Sequence, residues 1–171
     1  PPLCFASRGP VRAFMPPSFY ARLTTTHTAG RGGGGAPATI SEEIELRPDG
    51  RLTRTTGGAR PRSATLSPTA LAHARAVLAS SGVLAVDDAA WPEPDPTGPA
   101  GSCELEVVDG QSRSHVSFAT TRDAGTASAA ATAASSDAAG LAAFTAAVAD
   151  LRSFALAALA MHTAPPASGP T

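Results

Sequence analysis

Residues 39–52, TISEEIELRPDGRL, carry the pattern that decides the fold of this chain. Positions 40, 42, 44 and 46 fall on one face of an extended segment, and three of them are apolar: Ile40, Ile44 and Leu46. Alternation with polar neighbours is typical of a β-strand that buries one face.

The strand is followed at once by a turn, Arg47-Pro48-Asp49-Gly50. Pro48 presets its own φ, Asp49 suits a turn, and Gly50 accepts a positive φ. A second strand then begins near Arg51, so the segment predicts a β-hairpin and an antiparallel sheet.

The segments on either side of this hairpin supply more strands and two helices. Ser67-Pro68 provides a serine cap followed by a proline at the first helical position, and Gly82 ends that helix. Asp109-Gly110 is a second turn between two alternating strands. The predicted elements are a strand at 18–27, the hairpin at 39–52, a helix from Ser67-Pro68 to Gly82, strands at 103–108 and 114–120, and a helix from about Asp137 to His162.

The last helix has one continuous apolar stripe. Leu156 and Met161 lie off that stripe, and an apolar outer surface on a helix usually marks a partner. Strands and helices do not alternate regularly, so the sequence predicts an α+β fold, an antiparallel sheet with helices packed on one face. The stripe consists of Leu141, Phe144, Val148, Leu151, Ala155 and Leu159.

The composition limits the classes of function. The chain has 171 residues, 43% of them hydrophobic but only 5% aromatic, because alanine supplies much of the apolar fraction. This predicts one domain with a thin core. A formal net charge of −1 argues against a domain that holds nucleic acid mainly by its own phosphate contacts. No apolar run is expected to reach the ~20 residues that span a bilayer, so a soluble, intracellular protein without a membrane role is predicted.

Catalytic, cofactor and metal sites are not indicated. None of the four histidines (His27, His73, His115, His162) has a second ligand at metal spacing. Cys4 and Cys103 are far apart and are expected to be unpaired thiols. The acids at 87–95 (Asp87, Asp88, Glu93, Asp95) are interrupted by prolines and are expected to form a solvated acidic turn.

The two ends are set apart from the domain. Residues 1–14 are basic, lack acids and precede Met15, so they are expected to be a disordered extension, the remnant of a leader, or an artefact of the gene model. The glycine-rich segment 29–37 predicts a flexible loop. A single domain is predicted over 15–164, followed by a disordered tail at 165–171.

Six segments, in order, resemble the Mago nashi family from about Met15 to Pro166. The most specific are RPDG in the hairpin and DDAAWPEPD at 87–95. The others are SFYARL, ELEVV, HVSFATT and the final GLAAFTAAVADLRSFALAALAMH.

The resemblance implies a six-stranded antiparallel sheet with helices on one side and no enzymatic activity. It implies an obligate heterodimer with an RRM-containing protein whose RNA-binding sheet the helices cover. It further implies a place in the exon junction complex, where the pair locks a DEAD-box ATPase on spliced mRNA and contacts RNA only indirectly. Splicing, export, localisation, translation and nonsense-mediated decay of mRNA, in a nuclear protein that shuttles to the cytoplasm, follow from the resemblance alone.

The residues expected to face the partner lie on both helices. The apolar ones could equally face the sheet, and an arginine could simply be solvated or ion-paired. The set is Leu71, Arg75, Leu78, Arg152, Leu156, Leu159 and Met161.

Trp91 is the only tryptophan, and Pro92 follows it in an extended segment. We expect its ring to pack onto the domain, with partner contact as the alternative. Pro48, Asp49, Gly50 and Pro92 are expected to have structural roles beside it.

Two departures from the family keep other functions open. Ala155, Ala157 and Ala158 replace larger residues, and the glycine run near Arg31 replaces basic ones. A divergent functional member is the first hypothesis, and a paralogue that has lost the complex is the second. A stand-alone RNA-binding module using the strand near Phe19 and Tyr20, and a hydrolase using the acids at 87–95, are rivals from other classes.

Overall fold

A computed structural model of the chain describes residues 19–29, 38–91, 101–110, 112–120 and 137–163. Six antiparallel strands form one sheet in the order β4-β3-β2-β1-β5-β6. Its strands are β1 (Phe19–Ala29), β2 (Ala38–Leu46), β3 (Arg51–Thr56), β4 (Arg62–Thr65), β5 (Gly101–Asp109) and β6 (Ser112–Thr120). The predicted α+β fold is confirmed.

The predicted hairpin joins β2 to β3. Leu46 lies opposite Leu52, and the Gly50 amide donates to the Arg47 carbonyl at 2.9 Å. Gly50 has φ +83, a conformation that glycine adopts without the strain that a Cβ would cause. The Asp49 carboxylate accepts from the Arg51 amide at 3.0 Å, and Pro48 is exposed within the turn.

The sheet buries one face. In the centre, Leu23 of β1 lies between Ile44 of β2 and Leu105 of β5 in register, and all three are at most 1% exposed. Residues at alternate positions point to the other face, as strand geometry requires.

Two helices cover that buried face. Helix α1 (Pro68–Ser80) begins with the Ser67 hydroxyl accepting from the Ala70 amide at 3.2 Å, and Gly82 follows its end with φ +79. Helix α2 (Ala138–Thr163) begins where the Asp137 carboxylate accepts from the Gly140 amide at 2.8 Å. All six residues of the predicted apolar stripe on α2 are buried.

The core is partly built from small side chains, as the composition predicts. Ala147, Ala155 and Ala158 lie buried along α2 among leucines and valines. Each contributes less apolar area than a larger aliphatic residue.

The expectation that no apolar run reaches the length of a membrane span is wrong for helix α2. Ala138–His162 has 25 residues and a mean hydropathy of 1.5, so by length and composition alone it could cross a bilayer. Alanine lifts the average without supplying large side chains. Its buried stripe, and an ion pair from Arg152 to the sheet, are features of a core helix.

Three short elements were not predicted: strand β4 and single 3-10 turns at Val83–Ala85 and Asp88–Ala90. The predictions for 1–14, for most of the glycine loop, for Pro92, and for the tail at 165–171 fall outside the described residues.

Candidate protein-interaction surface

An open cleft runs between the two helices. Its volume is about 370 Å³, and the rings of His73 on α1 and Phe154 on α2 stand 6.3 Å apart across it. Val77 and Ala157 add further apolar surface. The full lining is His73, Ala74, Val77, Leu78, Asp150, Leu151, Ser153, Phe154 and Ala157.

A second cleft of about 300 Å³ continues the first toward the end of α2. Phe154 and Ala157 line both clefts, and Met161, which is 73% exposed, lines the second. Because these three residues are spaced three and four apart, they share one flank of the helix. We call His73, Val77, Phe154, Ala157 and Met161 the interhelical surface.

Leu156 lies elsewhere on α2. It is 39% exposed and, with Met161, is one of the two exposed large hydrophobic residues in the described part of the chain. Arg152 stands four residues before it, so these two share a flank that is separate from the interhelical surface.

Leu71 and Arg75 lie on the outer side of α1, along a shallow cleft of about 550 Å³. The Arg75 guanidinium contacts both oxygens of the Asp109 carboxylate: its Nη2 lies 2.7 Å from Oδ1, and its Nε lies 3.0 Å from Oδ2. Such a two-pronged contact is geometrically specific. Arg75 therefore ties α1 to the end of β5, and Leu71 is half-buried beside it.

Leu78 and Leu159 are corrections to the predicted partner surface. Each is 1% exposed, packed in the core between helices and sheet. Both fall on the sheet-facing side of their helices, where the sequence left the core alternative open. The surface that sequence reasoning missed is the flank of α2 that carries Phe154 and Ala157.

The Arg152 guanidinium binds a buried carboxylate, that of Glu42 on β2, at 3.0 Å. Glu42 is 6% exposed and also binds Arg54 of β3 at 2.6 Å. The sequence offered one signal for this cluster: a carboxylate at the inward phase of β2, between Ile40 and Ile44.

The face of the sheet that neither α1 nor α2 covers, which we call the uncovered face, is polar and charged in the described residues. Glu106 on β5 binds Arg22 of β1 at 3.4 Å and Arg113 of β6 at 2.7 Å. Phe19 is buried at 4% exposure, whereas Tyr20 points to the uncovered face, and burial raises the pKa of its hydroxyl. The two aromatics of the RNA-binding hypothesis therefore lie on opposite faces and cannot form one stacking surface.

Two of the acids in the DDAAWPEPD segment accept hydrogen bonds from backbone amides. Asp87 accepts from the Ala89 amide at 3.1 Å. Asp88 accepts from the Ser117 amide at 2.8 Å and its hydroxyl at 3.2 Å, covering part of edge strand β6. Glu93 and Asp95 lie outside the described residues, and among those described no cluster of three potential metal ligands occurs.

Trp91 packs onto the domain, as expected. It is 8% exposed, and its ring contacts Phe118 of β6 edge to face at 5.7 Å and Phe144 of α2 at 5.2 Å. Phe118 and Phe144 also contact each other at 6.5 Å, so the three rings form one cluster.

A family model described as Mago nashi protein matches residues 56–165, from the end of β3 past the end of α2. The chain belongs to the Mago nashi family. It is also similar to the protein mago nashi homolog of Arabidopsis thaliana, with 36% identity over 87 residues, which are 47% of this chain and 54% of that protein. The chain thus spans about half the length of this curated relative. The family is one of non-catalytic, protein-interacting proteins.

Proposed function

We propose that this chain is a non-enzymatic subunit that forms a heterodimer with an RRM-containing protein and covers its RNA-binding sheet. One observation carries the proposal: the interhelical surface is apolar and open to solvent on a chain whose uncovered sheet face is charged. Half-buried Phe154 and exposed Met161 give this surface its larger apolar groups.

The partner chemistry follows from what an RRM presents. An RRM reads RNA with aromatic residues exposed on a four-stranded sheet. An apolar helical surface complements such a sheet, and methionine adapts to irregular aromatic surroundings. In this arrangement His73, Val77, Phe154, Ala157 and Met161 form the centre of the contact, and Leu71 and Leu156 take part only if the partner also reaches the outer side of each helix.

The wider role rests on family membership. If this chain acts as a Mago-type subunit, its heterodimer joins the exon junction complex and helps lock a DEAD-box ATPase on spliced mRNA. The chain would reach RNA only through its partners, in the nucleus and in shuttling complexes. Its roles would lie in splicing, export, localisation and nonsense-mediated decay of mRNA.

The test is a competition between this chain and RNA for the RRM. Binding of a fluorescent single-stranded RNA to the RRM protein of the same organism is measured by anisotropy, with increasing amounts of the full chain. We expect the chain to release the RNA with a 1:1 end point. Met161→Arg should weaken this release, because a charge placed at an apolar contact must lose its hydration.

His115→Arg is the matched control. His115 is exposed on β6, next to Glu106 on the uncovered face, so its substitution should leave the competition unchanged. A chain that is folded yet leaves the RRM–RNA affinity unaltered would identify a paralogue that has lost the complex.

A further inference from the structure

We propose that the cleft around Glu42 is a binding site for a single carboxylate group, held by Arg54 and Arg152. The cleft has a volume of about 210 Å³ and lies at one end of the helix-covered face. Its lining residues are Thr25, His27, Ile40, Glu42, Arg54, Thr56 and Arg152. The site does not depend on the proposed RRM partnership.

The arginines are held in place before any ligand arrives. The Arg54 Nε donates to one oxygen of Glu42 at 2.6 Å, and an Nη of Arg152 approaches the other at 3.0 Å. The Glu42 side chain is only 7% exposed, whereas those of Arg54 and Arg152 are 22% and 44% exposed. A buried carboxylate thus fixes two guanidiniums that both belong to residues lining the cleft.

The charges in this cluster do not balance. Two guanidiniums and one carboxylate leave one positive charge, in a partly buried place where screening is weaker than at an open surface. Each guanidinium has five N–H donors, and Glu42 uses few of them. In the described part of the chain, no other ion pair engages Arg54 or Arg152.

The net charge of the cluster favours a carboxylate over a phosphate dianion. A monoanion brings the cluster to neutrality, whereas a phosphate dianion would leave it negative beside Glu42. The planar guanidinium fork also matches two carboxylate oxygens. Thr25, which is 3% exposed, and Thr56 add hydroxyl groups to the same walls.

The test titrates the full chain with sodium acetate while sodium chloride is lowered to keep the ionic strength constant. Chemical shifts of the Arg54 and Arg152 Nε–H groups and of the Thr25 and Thr56 amides report on binding. We expect saturable shifts confined to the cleft. Sodium phosphate, titrated in the same design at pH 8 where the dianion predominates, should bind more weakly.

Two substitutions make the charge argument decisive. Arg152→Gln leaves Arg54 and Glu42 balanced, so acetate binding should be lost. Arg54→Gln leaves Arg152 and Glu42 balanced in the same way, so acetate binding should again be lost. Chemical shifts of the Trp91 and Phe144 rings, which do not line the cleft, verify that each variant is folded.

The site is refuted if acetate causes no saturable shift in the folded wild-type chain, or if the same shifts persist in Arg152→Gln.

The same acetate titration, repeated on the heterodimer, identifies the source of the carboxylate. If an acidic side chain of a protein partner fills the cleft, acetate will not shift these resonances in the complex. If the site serves small carboxylic acids, the shifts will persist there. Failure of the heterodimer to form would leave the free-chain titration intact.

Discussion

Trp91 and Phe144 lie with their ring centroids 5.2 Å apart, joining the segment after the second 3-10 turn to the first half of α2. Phe118 of β6 completes the contact at 5.7 Å from Trp91. A chain with 5% aromatic residues thus concentrates three of them where the edge of the sheet meets the long helix. This cluster supplies large buried side chains to a core that elsewhere contains buried alanines.

Trp91→Ala should lower the free energy of unfolding by about 3–5 kcal/mol, because it removes the largest ring of the cluster and leaves a cavity. Trp91→Phe keeps an aromatic contact and should cost clearly less. Urea unfolding followed by circular dichroism measures both. Equal, small losses in the two variants would show that the cluster contributes little to stability.

The turn at Gly50 provides a matched pair of glycine substitutions. A Cβ on Gly50, at φ +83, would lie 2.9 Å from the Leu66 carbonyl oxygen, whereas one on Gly58, at φ +77, would meet nothing within 4 Å. Gly58→Ala should cost about 1 kcal/mol from backbone strain alone. Gly50→Ala should cost about 1–2 kcal/mol more, because the Leu66 carbonyl must also move. Urea unfolding compares the two, and equal costs would contradict the close approach.

Cys103 should be an unreactive thiol. It is fully buried, and burial raises the pKa of its thiol to about 12 from an ordinary value of 9.0. In a Cys4→Ser background, a disulfide reagent at pH 8 should modify Cys103 only after unfolding, because the thiolate is the reactive form. Rapid modification of the folded chain would place Cys103 outside the core.

The same thiol should make stability depend on alkaline pH. The folded state keeps the proton that the unfolded state releases, so this contribution is complete below pH 9 and is lost as pH rises toward about 12. Cys103→Ala should therefore lose less stability than the wild type over that interval. The urea midpoints of the wild type and of Cys103→Ala are measured across this pH interval. Midpoints that fall in parallel in the two proteins would contradict the linkage between Cys103 and stability.

Leu159 and Met161 separate stability from partner binding. Leu159→Arg places a charge at a core position that is 1% exposed, so it should unfold the chain or cost about 3–5 kcal/mol. Met161→Arg, at a position 73% exposed, should change the unfolding free energy by less than about 0.5 kcal/mol. Urea unfolding compares them. A stable Leu159→Arg chain would restore this residue to the candidate partner surface.

Much of the fold could be predicted from sequence because its signals are local. Three such signals are the proline and glycine of RPDG, the Ser67-Pro68 cap, and the apolar stripe of α2. The stripe is local because its residues recur at spacings of three and four. Strand β4 gave no such signal, because RSAT contains only one inward apolar residue, Ala64, and follows a glycine- and proline-rich segment.

The interaction surface was harder to predict because it depends on how two helices pack. The stripe on α2 already separated Leu159 from Met161, but only the packing of α1 against α2 shows that Phe154 and Ala157 line a cleft. The Glu42 cluster needs β2, β3 and α2 to meet. Its residues are distant in sequence, so no local pattern could bring them together.

The most direct test of the central claim is the mass of the species purified after the full chain is co-expressed with the RRM-containing protein of the same organism. Light scattering should give a 1:1 heterodimer for the wild type and for His115→Arg, and separate chains for Met161→Arg. A wild-type chain that is folded, soluble and monomeric beside the RRM protein would contradict the proposed function.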